Sequence, residues 1–158
     1  MKILGIDPGL QECGYGCIEA EKMDVALIEA GVFGTDNGIA LEQRLQQIAD
    51  DIDELLSRFK PAAVAVEDLY SHYDHPKTAI LMGHARGVIL QRCAQADLQV
   101  KSYSATRIKK SVTGSGRASK TQVQRSIQSI LRLPQVPSPD HVSDALAAAM
   151  CCANTLNF

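Results

Sequence analysis

Apolar residues along this chain follow two rhythms. Ile3-Leu4-Gly5-Ile6 is a short apolar run that stops at an acid, so Lys2–Asp7 reads as a buried strand. Gly14–Ala20 and Val25–Phe33 read as two more, and the short connection Glu21–Asp24 predicts that they pair as a hairpin. From Gly38 to Phe59 the spacing changes to three and four. Leu41, Leu45, Ile48, Ile52, Leu55, Leu56 and Phe59 line one face of a helix that Lys60-Pro61 ends. Ala62–Val66 is a short buried strand closing on Glu67-Asp68. Asp68 to Pro76 is polar and predicts a loop holding Tyr70, His72, Tyr73 and His75. Lys77–Ala94 reads as a second helix, Leu98–Tyr103 as a fifth strand, and Ala105–Thr113 as a short helix closed by Gly114-Ser115-Gly116. Ser119–Leu131 is helical, with Ser119 as its cap. Ser138-Pro139-Asp140 opens a last helix: Ser caps, Pro takes the first turn and the acid faces the positive end of the dipole. This order implies an α/β fold with a mixed five-stranded sheet flanked by helices, early strands antiparallel and later ones parallel. No repeat or linker divides the chain, so residues 1–158 are expected to form a single domain.

Composition narrows the picture. A chain of 158 residues that is 46% hydrophobic and 22% charged is globular rather than disordered. No apolar run approaches the roughly 18 residues of a membrane span, and Asp7 comes too early for a secretory signal. A cytoplasmic location is expected. Cys13, Cys17, Cys93, Cys151 and Cys152 contain no C-x-x-C pair and read as free, mostly buried thiols. The net charge of −2 conceals an asymmetry. Residues 1–97 carry eight Lys/Arg against sixteen Asp/Glu, whereas residues 98–139 carry eight Lys/Arg and no acid. A solvated basic face would explain the second stretch. Because ordinary surfaces mix both signs, a surface that neutralises a polyanion such as nucleic acid explains it better.

Some acids do not look structural. Asp7 and Glu67 each terminate a buried strand, at the sheet edge where ligands of α/β proteins bind. Either alone could cap a turn. In Asp140-His141-Val142-Ser143-Asp144-Ala145-Leu146 the pairs 141/144 and 140/144 each share a helix face, and the helix then turns apolar. An acid at that boundary is costly unless something satisfies it. A divalent cation would, and oxygen ligands with one imidazole suit Mg2+ or Mn2+ better than zinc.

Gly5-Ile6-Asp7-Pro8-Gly9 with Gly14-Tyr15-Gly16, Val64-Ala65-Val66-Glu67 with Tyr70, Gly83-His84-Ala85-Arg86-Gly87, the segment from Lys109 through Gly114 and Gly116 to Lys120, and Asp144-Ala145-Leu146-Ala147 occur in order. Together they resemble the RuvC family of Holliday-junction resolvases. The resemblance implies an RNase H-like fold and a homodimer. It also implies a metal-dependent endonuclease that resolves four-way DNA junctions by symmetric paired nicks in recombination and repair, with a branch-migration motor as partner. Asp7, Glu67 and Asp144 match the family's catalytic, metal-holding acids. The fourth position holds Asp or His in the family and is His141 here, with Asp140 as the alternative register. Two Mg2+ per site are implied, with Mn2+ able to substitute. Lys109 and Lys120 match positions that contact phosphate, and Arg107, Lys110 and Arg117 extend the same field. Tyr70 matches an aromatic that inserts near the crossover, for which an aromatic face stacking on a splayed base is the physical case. Gly83 and Gly87 permit close helix approach, either at the dimer interface or inside the subunit.

Three other readings compete. An actin-like or sugar-kinase nucleotide binder also opens with a strand, an Asp and a Gly-rich turn, but it needs two lobes. A related nuclease acting on another structured nucleic acid differs only in substrate. A non-catalytic junction binder would gain nothing from carboxylates facing phosphate.

Overall fold

A computed structural model of the chain describes residues 1–22, 24–69 and 76–156. The elements are β1 (Lys2–Asp7), β2 (Glu12–Glu21), β3 (Asp24–Gly34), α1 (Leu41–Phe59), β4 (Ala63–Glu67), α2 (Pro76–Gln95), β5 (Val100–Tyr103), α3 (Ala105–Thr113), α4 (Lys120–Ile130) and α5 (Asp140–Thr155). The strands form one sheet in the order β3-β2-β1-β4-β5. The hairpin-linked pairs are antiparallel and the helix-linked pairs parallel, as the connections predict.

Successive strand residues point to opposite faces, and the two faces of this sheet differ in size. Leu4, Ile6, Val64 and Val66 pack with Ile48, Ile52 and Phe59 of α1 and with Ala85, Ile89 and Cys93 of α2. Ile3, Ala63 and Ala65 pack with residues of α3, α4 and α5, among them Ile108, Val123 and Leu146. The second face is built mostly of small residues. A methyl group on Gly5 would overlap the Ala145 carbonyl, and one on Gly14 the His141 carbonyl. The backbone of α5 therefore rests directly on β1 and β2. From Val142 to Ala153 every residue of α5 except Asp144 is buried.

Several boundaries depart from the hydropathy pattern, for local reasons. α1 starts at Leu41 rather than Gly38, because Asp36 Oδ1 accepts from the Gly38 N–H at 2.8 Å in a turn of its own. β2 and β3 run beyond their apolar stretches, since ladder pairing continues through Glu12↔Gly34 and Glu21↔Asp24. β5 begins at Val100, because the Leu98 N–H closes the end of α2 on the Cys93 carbonyl at 3.0 Å. α5 begins at Asp140 as expected, but the cap position is Pro139, which offers no side-chain bond, so Ser138 falls one residue too early to serve as the cap. Ser119 does cap α4: its Oγ accepts from the Gln122 N–H at 3.2 Å. Gly114 closes α3 at φ 80°, a left-handed conformation that glycine adopts without strain. All five cysteines are free and buried. Among the described residues no helix is long and apolar enough to cross a membrane. Tyr70, His72, Tyr73 and His75 lie outside the described residues.

Candidate active site

The alternation that sorts the core also aims the acids. Asp7 lies on the same face of β1 as Ile3 and Gly5, and Glu67 on the same face of β4 as Ala63 and Ala65. That is the face α5 covers. The parallel register pairs Ile6 with Val66, so the two acids leave the sheet side by side. α5 supplies His141 and Asp144 from one helix face. Asp7, Glu67, His141 and Asp144 line one cavity of about 250 Å³. His141 Nδ1 stands 2.7 Å from Asp7 Oδ2.

Asp140 takes another direction. It is exposed, its Oδ2 lies 3.0 Å from Lys120 Nζ, and its Oδ1 accepts from Gln124 Nε2 at 2.7 Å. Of the two registers left open by the sequence, His141 is the one beside Asp7. Lys120 also reaches Asp144 Oδ2 at 3.5 Å. The hydrogen bond from Lys120 holds the Asp140 carboxyl below its usual range, and its two acidic partners raise the Lys120 ammonium against the opposing effect of burial.

The half-buried acids of the two strand ends shift the other way. Burial raises the Asp7 carboxyl, and the nearby Asp144 adds to the rise, while the His141 hydrogen bond opposes it. Burial pushes Glu67 up to about 7, and the charges of Asp7 and Asp144 push in the same direction. Lys109 lowers it only in part. Acids crowded in low dielectric without full compensation suit a divalent cation, which replaces mutual repulsion by shared attraction. The donor set is oxygen-rich and hard, which suits Mg2+ or Mn2+. Among the described residues no three of His, Cys, Asp and Glu already close on one point as a metal cage. The carboxylates surround a cavity instead, with one Asp7 oxygen taken by His141.

The turn and strand end that carry the acids are tied down by residues that hydropathy did not single out. After Asp7, the Gly9 N–H donates to Cys13 Sγ at 3.3 Å and the thiol donates back to the Gly9 carbonyl at 2.8 Å. Arg44 Nη2 donates to the Leu10 carbonyl at 3.2 Å and Nε to Thr35 Oγ1 at 2.8 Å. Arg86 Nε donates to the Glu67 carbonyl at 3.2 Å. Cys13 was legible as a buried thiol and Arg86 as part of the Gly83–Gly87 segment, but neither signal said anything of their partners, and Arg44 and Thr35 had no signal.

The acid-free stretch folds into β5, α3 and α4 beside this site. Lys109 and Lys120 line a second cavity of about 220 Å³ together with Glu67 and Asp144. Arg107, Lys110 and Arg117 are exposed. Arg107 lies over the Tyr103 ring, 5.0 Å from its centroid. Gly83 and Gly87 are not demanded by packing inside the subunit: an added methyl would meet only Leu69 Cδ1, at 3.8 Å, from Gly83, and nothing within 4 Å from Gly87.

Known proteins are similar to this chain in sequence and fold. The model of the family described as crossover junction endodeoxyribonuclease RuvC matches residues 3–152. The crossover junction endodeoxyribonuclease RuvC of Rhodopirellula baltica is 46% identical over 149 residues, covering 94% of this chain and 84% of that one. The Heliobacterium modesticaldum protein of the same name is 42% identical over 158 residues, covering 100% and 97%. Among solved structures, T. thermophilus RuvC in complex with Holliday junction substrate superposes with a TM-score of 0.93 at 32% identity, covering 99% of this chain and 95% of that one. With a family match across almost its whole length, relatives above 40% identity and a shared RNase H-like fold, this chain belongs to the crossover junction endodeoxyribonuclease RuvC family.

Proposed function

We propose that the chain is a structure-selective endonuclease that resolves four-way DNA junctions by paired, symmetric nicks, in homologous recombination and DNA repair. The observation that carries this reading is the pair of half-buried acids at the ends of two neighbouring strands, set against a cavity lined by Lys109 and Lys120. Members of the family are metal-dependent nucleases, and the bound structure of a relative at 32% identity holds junction DNA.

Asp7, Glu67, Asp144 and His141 would hold two Mg2+, with Mn2+ able to substitute. Asp7 lies on the middle strand of the sheet and shares its cavity with the other three. When bound, such a metal pair makes a water nucleophilic at neutral pH and stabilises the departing 3′-oxygen. The remaining work falls to the chain itself. His141 holds the Asp7 carboxylate through Nδ1 and fixes its orientation. Lys109 and Lys120 neutralise the phosphate brought against the acids, and Lys120 is then shared among Asp140, Asp144 and DNA. Arg107, Lys110 and Arg117 extend the field to the flanking backbone, and Tyr70 stacks at the crossover. Residues 1–158 act as one nuclease domain. A homodimer places two such sites on the two opposed strands, with the open surface at Gly83 and Gly87 of α2 as its contact. A branch-migration motor and a cytoplasmic location complete the reading.

Cleavage of a synthetic four-way junction in Mg2+ tests it, with a linear duplex, a fork and an RNA–DNA hybrid alongside. Paired nicks confined to the junction are expected. Preferential cutting of the hybrid or the fork would leave the chemistry standing and overturn the substrate.

A further inference from the structure

We propose that Arg86 is a positioning residue of this nuclease site. It fixes the end of β4 from which Glu67 projects, and it pairs the charge of Asp68, which lines the same cavity. The proposal rests on the reading of Glu67 as a working carboxylate.

The last residue of a strand is a weak place from which to aim a side chain, because the ladder that holds it stops there. β4 is held against β5 as far as the bond from the Asp68 N–H to the Tyr103 carbonyl, at 2.9 Å. Beyond that bond, among the described residues, a guanidinium holds the strand end. Arg86 Nε donates to the Glu67 carbonyl at 3.2 Å, and Nη2 donates to Asp68 Oδ1 at 3.1 Å and to Ser102 Oγ at 2.8 Å. Three partners on β4, the residue after it and β5 thus meet a side chain of α2 that is only 18% exposed. A planar fork with five donors can satisfy such a set, whereas an ammonium cannot reproduce its directions.

The bond to Asp68 has a second consequence. Asp68 lines the same cavity as Asp7, Glu67 and Asp144, and its charge adds to the rise of Glu67. Paired with Arg86, it is a matched charge at the rim. Unpaired, it would be a further carboxylate competing for cations and repelling phosphate. Arg86 therefore separates two adjacent acids by role, Glu67 facing inward and Asp68 neutralised. A long, mostly buried guanidinium is costly in a core and is tolerated only where its donors are used.

The test compares Arg86→Lys and Arg86→Ala, each with and without Asp68→Asn, with Glu67→Gln as reference. Two readouts are taken on intact protein: kcat and KM for junction cleavage, and the Mg2+ concentration that half-maximally raises the Tm without DNA. Misplacement of a reacting group by about 1 Å costs on the order of 100-fold in rate. Both single variants are expected to lose about 10- to 100-fold in kcat, with KM within about twofold, and to need several times more Mg2+ for the Tm rise. Asp68→Asn should recover part of the loss in the Arg86→Ala background, a coupling that a purely structural arginine would not show. An unchanged kcat in Arg86→Ala, a rise in KM that accounts for the loss, absence of any rescue, or unfolding of both Arg86 variants would each overturn the inference. If Glu67→Gln cleaves like wild type, the underlying site reading fails. If Glu67→Gln is inactive while the Arg86 variants are intact, only the role of Arg86 fails.

Discussion

Two groups of acids sit in the same α/β layers and are treated in opposite ways. Between the C-terminal halves of α1 and α2, Asp53 meets the guanidinium of Arg92 through both of its carboxylate oxygens. At the carboxyl ends of β1 and β4, Asp7 and Glu67 are more deeply buried, yet Asp7 meets an imidazole, Glu67 shares a cavity with Lys109 and Lys120, and Lys120 itself pairs with Asp140 and Asp144. The first arrangement is what a fold does with an acid it needs only for helix packing. The second leaves charge unbalanced where it costs most, which makes sense only if a cation and a phosphate complete it. The difference teaches that partnership, more than burial, separates a structural acid from a working one.

The largest contrast should appear in rate. Asp7→Asn and Asp144→Asn are expected to reduce junction cleavage by about 1,000-fold or more, while Asp53→Asn leaves it within about twofold. Single-turnover cleavage assays at saturating metal measure both. If Asp53→Asn were as damaging as Asp7→Asn, the distinction between the matched acid of the helix pair and the crowded acids of the site would collapse.

Lys120 is the cation nearest the working acids, so its loss should affect binding next. Lys120→Ala is expected to weaken junction affinity about 10-fold at moderate salt and to lower the slope of log K against log salt by about one. A filter-binding series across salt concentrations reads the slope. An unchanged slope would confine Lys120 to Asp140 and Asp144.

A smaller effect concerns metal-free stability against pH. The Glu67 carboxyl rises in the fold from 4.5 to about 7, so the folded state binds a proton more tightly than the unfolded chain does. The stability this group contributes is present below about pH 4.5 and is lost as pH rises to about 7. Glu67→Gln should remove that decline and leave the metal-free protein about 1–2 kcal/mol more stable than wild type at pH 8. Urea titrations at pH 5 and pH 8 give the comparison, and equal pH dependence in both proteins would count against the crowded site.

The smallest effect belongs to the matched pair. Arg92→Met should shift the Tm by no more than about 3 °C and leave cleavage unaltered, because a partly exposed ion pair adds little. Differential scanning calorimetry with a parallel cleavage assay checks this.

Much of this contrast was legible in the residues. An apolar run ending in an acid marks both Asp7 and Glu67, because buried strands leave few polar residues to confuse the pattern. The spacing of His141 and Asp144 on one helix face, the Ser119 cap and the acid-free basic stretch were likewise local signals. What could not be read depends on who meets whom across the chain. Nothing local says that Asp140 turns to Lys120 while His141 turns to Asp7, or that Arg86 spans α2, β4 and β5. The glycines of β1 and β2 were visible as a motif, but their cause, the backbone of α5 lying on the sheet, exists only after folding. Ser138 misled by one residue because Pro139 itself occupies the cap position.

The most direct test of the unbalanced site is thermal unfolding of wild type and Asp7→Asn at pH 8, without metal and across a Mg2+ titration. A ligand that binds only the folded state stabilises it by RT ln(1 + [L]/Kd), about 2.7 kcal/mol at 100 times Kd. The account predicts that Asp7→Asn is at least as stable as wild type without metal, and that only wild type rises with Mg2+. A metal-free Asp7→Asn protein less stable than wild type, rising with Mg2+ to the same extent, would contradict it.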